Sequence, residues 1–135
     1  MAPHLSNIAL LYQKLGDLTN SLKYYEKALE VDQHANNISG VTSDFRRIGA
    51  ILQDMKLHEK AVQMRLQALE LDTKLGSLPG IAWDSANLGV IYLMQGDQKQ
   101  ANVWLQKALS LFLQLGANGE AAQVQNLLND IHLKP

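Results

Sequence analysis

The chain repeats itself every forty residues, and no other property constrains its fold as strongly. Shifted by forty, the sequence aligns with itself without gaps: Ala28-Leu29-Glu30-Val31-Asp32 becomes Ala68-Leu69-Glu70-Leu71-Asp72, then Ala108-Leu109-Ser110-Leu111-Phe112. Ile8-Ala9 becomes Ile48-Gly49 and Leu88-Gly89, Tyr12 becomes Leu52 and Tyr92, and Ser21 becomes Ala61 and Ala101. A fixed period of this length marks a stack of supersecondary units, none of which can bury its apolar face alone.

Inside each unit the apolar spacing is helical. Leu5, Ile8, Leu11, Tyr12 and Leu15 fall at steps of three and four, as do Leu18, Leu22, Tyr25, Ala28 and Leu29. Gly16-Asp17 and Gly96-Asp97 supply a left-handed stop followed by a capping carboxylate, while the middle unit has the weaker Lys56-Leu57. Asn36, Gly76 and Gly116 share the second stop position. These signals predict seven helices near 3–15, 18–34, 41–55, 58–75, 80–95, 98–115 and 121–133. Small residues at Ala9, Gly49 and Gly89, and at Ser21, Ala61, Ala101, Ala28, Ala68 and Ala108, mark where paired helices approach closely.

Small residues at these positions, an aromatic or leucine three places after the first, and Gly-Asp in the turn resemble the tetratricopeptide repeat. The likeness covers nearly the whole chain. A forty-residue unit whose second helix ends in Leu-Gly (Leu75-Gly76, Leu115-Gly116) is similar to a subgroup that includes Pins-like scaffolds, kinesin light chains and bacterial regulators. The resemblance implies an all-α fold, an α-α superhelix of three helix-turn-helix repeats (1–40, 41–80, 81–120) plus a capping helix over 121–133, in one domain spanning 1–135. Two departures stand out: Arg65 replaces Tyr25 and Leu105, and Ser85 replaces Leu5 and Phe45.

The resemblance also implies a concave groove lined by the first helix of each pair. Carried over residue by residue, it assigns Asn7, Leu10 and Lys14, then Arg46 and Arg47, then Trp83, Asn87, Val90 and Met94, and finally Asn126. An asparagine amide can grip an extended peptide backbone with both donor and acceptor. Adjacent arginines can hold a carboxylate in bidentate fashion. Trp83, Val90 and Met94 offer an adaptable apolar half. The chaperone version of the fold carries an asparagine where this chain has Leu10, Ala50 and Val90, which argues against its carboxylate clamp. The expected function is a protein-protein adaptor holding a peptide or protein segment that bears acidic residues.

The two ends differ. Gln125, Asn129 and His132 stand where earlier units are small or apolar, as a solenoid cap requires, and Lys134-Pro135 is expected to close the structure. At the start, Leu5, Ile8, Leu11 and Leu15 form an apolar face. Such a face is covered by a partner, by self-association into a homodimer, or by upstream sequence. A self-assembling module and a regulatory fragment of a larger signalling protein are therefore the alternatives to an adaptor.

Nothing in the sequence argues for catalysis. The four histidines, His4, His34, His58 and His132, occupy four different repeat positions, and no pair has helical metal-site spacing. No phosphate loop, dinucleotide fingerprint or serine elbow is present, so no catalytic residue, metal or cofactor is expected. Asp44 and Asp84 recur at one position, which reads as helix-start electrostatics. A net charge of −1 gives no global attraction to nucleic acid. No apolar run of about 18 residues is present to span a membrane, and the start lacks a secretory pattern. Cysteine is absent, which fits a cytoplasmic setting.

Overall fold

A computed structural model describes residues 3–133. Seven α-helices and no strands are present among them: α1 Pro3–Lys14, α2 Leu18–His34, α3 Ile38–Asp54, α4 His58–Leu75, α5 Leu78–Met94, α6 Gln98–Gln114 and α7 Asn118–Leu133. The forty-residue shift is visible in the boundaries themselves, since α2, α4 and α6 start at 18, 58 and 98, and α3, α5 and α7 at 38, 78 and 118. The fold is all-α and built from helix-turn-helix repeats. Lys134 and Pro135, expected to close the structure, lie outside the described residues.

Every turn uses one device. Gly16, Asn36, Lys56, Gly76, Gly96 and Gly116 all have positive φ, between 53° and 82°. At each turn the next residue's N–H reaches five residues back, as in Asp17 N–H to Tyr12 O (2.9 Å) and Ala117 N–H to Phe112 O (2.8 Å). This doubly bonded helix end satisfies carbonyls that would otherwise be orphaned. The residue after the positive-φ position then caps the following helix. Asp17, Asn37, Ser77 and Asp97 accept from the backbone N–H of Asn20, Gly40, Gly80 and Gln100 at 3.1–3.2 Å. Because Asn37 and Ser77 are caps, α3 and α5 begin at Ile38 and Leu78, a turn or less before the expected starts at 41 and 80. The same register starts α7 at Asn118 rather than 121.

Two compact units divide the chain, one running to Leu71 and the other beginning at Asp72, so that the boundary falls within α4. In the first unit α2 packs on both α1 and α3. Ala9, Tyr25, Ala28, Phe45, Ile48 and Ile51 are buried there. Ser21 donates to the Ala9 carbonyl at 2.9 Å, so its hydroxyl is satisfied at the helix crossing. Arg65, one of the two departures, is buried with its Cγ, Cδ and Nε lying over the open side of Gly49. Its stem fills space that Tyr25 and Leu105 occupy at the equivalent positions.

In the second unit α6 packs on α5 and α7 around a core of Ala82, Ala86, Leu105, Phe112, Val124 and Leu128. Ser85, the other departure, is also buried, and its hydroxyl donates to the Ile81 carbonyl one turn back at 2.7 Å. Val124, Leu128 and Ile131 of α7 are buried, whereas Gln125, Asn129 and His132 face out, with Gln125 bonded to Asn129 at 2.9 Å. Among the described residues no helix is long and apolar enough to cross a membrane.

Candidate functional site

In the first unit, Asn7, Leu10 and Lys14 of α1 are exposed, and so is Arg47 of α3, while Arg46 is half-buried. The Arg47 guanidinium lies 5.8 Å from the centroid of the buried Tyr25 ring, whose hydroxyl donates to Gln13 at 3.3 Å. Arg47 is thus held by packing against α2 while its outer face stays open. Beside it a cavity of about 240 Å³ opens, lined by Pro3, Ser6 and Asn7 of α1, Asp32 of α2, and Asn37, Gly40, Ser43, Asp44 and Arg47.

The floor of this cavity was not foreseen in the sequence. Asp32 and Asp44 are both buried, and their carboxyls are hydrogen-bonded to each other. Asn37 Nδ2 donates to Asp32 Oδ1 at 3.2 Å, whereas Asp44 Oδ2 has no hydrogen-bond partner. Burial above all, then the bond to Asp32 and its negative charge, pushes the Asp44 carboxyl up to about 7, against the pull of the Arg47 guanidinium. The reading of Asp44 and Asp84 as helix-start charges is therefore corrected. α3 begins at Ile38, so Asp44 lies well inside it and faces a second carboxyl; Asp84 is fully buried within α5.

Gly40 is what admits Asp32. A Cβ there would come within 2.7 Å of Asp32 Oδ2, and a Cβ on Gly80 would meet the Asp72 carboxyl at 2.5–2.6 Å. The signal was present as a polar pattern riding on the apolar period: Asp32, Gly40, Asp44, then Asp72, Gly80, Asp84. In the third unit Phe112 and Val124 take the two acidic places.

The second unit holds the aromatic set. Trp83 is 48% exposed, yet its ring meets Phe112 edge-on with centroids 5.4 Å apart. Asn87 Nδ2 donates to the Trp83 carbonyl at 2.9 Å, so one amide hydrogen is already committed within α5. Val90 is half-buried, and Met94 and Asn126 are exposed. Of the apolar residues expected at the N-terminal end, Leu5 and Ile8 are half-buried, whereas Leu11 and Leu15 are 62% and 80% exposed.

Residues 42–114 match one tetratricopeptide repeat family model and residues 2–34 another. The chain belongs to the tetratricopeptide repeat family. Among solved structures, this repeat protein is similar to the apo form of RapI, with TM-score 0.87 and 19% identity over 96% of this chain and 47% of that one. It is similar to aspartyl phosphate phosphatase F from Bacillus subtilis, with TM-score 0.88 and 18% identity over 97% of this chain and 34% of that one. The N-terminal domain of stress-induced protein-1 (STI-1) from C. elegans gives TM-score 0.72 and 21% identity over 92% and 94%. The tetratricopeptide chain thus spans 47% of RapI and a smaller share of the phosphatase. Likeness at this identity is one of fold. No curated protein matches the sequence.

Proposed function

We propose that this tetratricopeptide chain is an adaptor that binds a peptide or protein segment carrying at least one acidic residue, and that it performs no catalysis of its own. The observation that carries this reading is the division of labour on the first helices of the hairpins. Their small and aliphatic residues (Ala9, Ile48, Gly49, Leu88, Gly89) are buried, while chemically varied residues stay accessible on the same helices. On α1 and α3 these are Asn7, Leu10, Lys14 and Arg47, suited to gripping a backbone and a carboxylate. On α5, Trp83 and Met94 suit apolar anchors.

The test is selection from a random peptide display library on the immobilised chain. Enrichment of Asp or Glu beside apolar residues is expected, and selected peptides should lose about tenfold or more in affinity for the Arg46→Ala/Arg47→Ala variant. Circular dichroism checks that its helicity is intact. Selected sequences with no acidic preference, or unchanged affinity in the variant, would overturn the reading.

The exposure of Leu11 and Leu15 favours a second reading, in which the apolar N-terminal face is a contact between two copies. Sedimentation at micromolar concentration separates them: a dimer dispersed by Leu11→Glu supports self-association, and a strict monomer removes it.

A further inference from the structure

We propose that the cavity between α1 and α3 receives a primary ammonium group of the bound segment, with the Asp32 and Asp44 carboxyls as its counter-charges. The source, a lysine side chain or a peptide's amino terminus, rests on the adaptor reading above; the cavity's chemistry does not. Asp44 is 2% exposed, lines the cavity, and carries an oxygen with no hydrogen-bond partner. A buried acceptor left unmatched is costly and marks a place where a donor is wanted. Two of the donors lining the cavity already have partners. Asn37 Nδ2 is bonded to Asp32, and Arg47 lies over the Tyr25 ring.

Burial and the neighbouring Asp32 carboxyl favour the protonated form of Asp44, whose proton can then be shared with Asp32. A cation that brings its own donors can take that proton's place with no change in the charge of the cavity.

Several features favour an ammonium over other cations. Its three N–H donors match the two carboxyls and the oxygens of Ser6, Asn7 and Ser43 around them. About 240 Å³ admits a linear alkylammonium chain. A divalent ion asks for six or more oxygens. Here it would find two carboxylates, and no third carboxylate, histidine or cysteine joins them among the described residues.

The charged groups facing the pair are Arg47 from α3 and, within the pair itself, Asp32 from α2; α1 contributes only Ser6 and Asn7 beside Pro3. Each ammonium bound well below neutral pH therefore displaces about one proton, and fewer as pH approaches 7.

The test is an amide NMR titration of the full chain with n-butylammonium in one arm and glycinamide in another, with Ca²⁺ as a third. Saturable shifts are expected at Asn7, Gly40 and Ser43, with affinity rising by about tenfold from pH 5.5 to 7.5 as the competing proton leaves. Asp44→Asn and, independently, Asp32→Asn should each weaken binding by about tenfold. Stronger binding of n-butylammonium assigns the cavity to a lysine, and stronger binding of glycinamide to an amino terminus. Absence of saturable shifts in both ammonium arms, affinity independent of pH, or tighter binding of Ca²⁺ than of either amine would overturn the proposal. The pH series uses the unaltered chain and does not depend on either variant folding. Its failure would leave the peptide-display result untouched, and a failed display would leave the titration intact.

Discussion

A Cβ placed on Gly89 would stand 2.6 Å from both Cγ and Cδ2 of Leu105, so α5 and α6 meet there with room for a hydrogen and nothing more. Gly89→Ala must therefore displace a fully buried leucine. Overpacking of this kind costs about 1–3 kcal/mol, against about 1 kcal/mol gained in helix propensity. A net loss of about 1 kcal/mol is expected in urea unfolding. At the equivalent Gly49 the nearest atom is Arg65 Nε at 3.2 Å, on a long side chain that can shift by a few tenths of an ångström. Gly49→Ala should then lie within about 0.5 kcal/mol of the parent, since propensity offsets the squeeze. The opposite order of the two variants would refute this account of the helix crossings.

Among the described residues, Lys56 is the one lysine held at positive φ, 66°, in a turn whose counterparts at 16 and 96 are glycines. A residue with a Cβ loses about 1 kcal/mol or more in that conformation. Lys56→Gly is expected to stabilise the chain by about 1 kcal/mol. Asn36, at φ 53°, tolerates the region better, so Asn36→Gly should gain less. Denaturant midpoints of the two variants measure the difference, and a loss of stability in Lys56→Gly would contradict it.

These turns show what the sequence made legible and what it hid. Gly16, Gly96, Asn36, Gly76 and Gly116 announced every stop but one, and the period supplied the last at Lys56. Apolar spacing located all seven helices because burial and helix period coincide in each. Helix starts were harder to read. Asn37 and Ser77 look like ordinary loop residues until their side chains are seen to accept from Gly40 and Gly80. The Asp32–Asp44 pair was missed for a different reason. Two aspartates twelve residues apart look solvated in a linear sequence, and only the packing of α2 on α3 brings them together. Trp83 was legible as exposed and apolar, yet its edge contact with Phe112 depends on a third-unit residue standing where earlier units have aspartate.

Asp17 and Asp97 occupy the same cap position but are bonded differently. Both accept from a backbone N–H at 3.1 Å, and Asp17 also accepts from Asn20 Nδ2 at 2.7 Å. Loss of a cap costs about 1 kcal/mol, and the additional side-chain bond a further fraction. Asp17→Ala should thus destabilise more than Asp97→Ala, by about 0.5 kcal/mol. Equal effects in thermal unfolding would mean the second bond contributes nothing.

The Asp44 carboxyl supplies a pH dependence whose direction is fixed. Its value in the folded chain is raised from 3.8 to about 7, chiefly by burial, then by the bond to Asp32 and its charge, with Arg47 opposing. The unfolded chain releases this proton near pH 4 while the folded chain still holds it, so folding binds a proton between those limits. Stability from this group is full below about pH 4, declines as pH rises toward 7, and levels off above. Asp44→Asn cannot ionise and keeps the shape of the protonated acid. Relative to the parent, the variant should gain about 1–3 kcal/mol between pH 5 and pH 8, since an ionised buried carboxyl costs at least that much. Urea titrations of both proteins at pH 5, 6, 7 and 8 isolate the pair, because ionisable side chains that do not interact with Asp44 cancel in the difference. Parallel profiles would show that Asp44 ionises freely in the folded chain, and with that the shared proton on the cavity floor would be lost as an explanation.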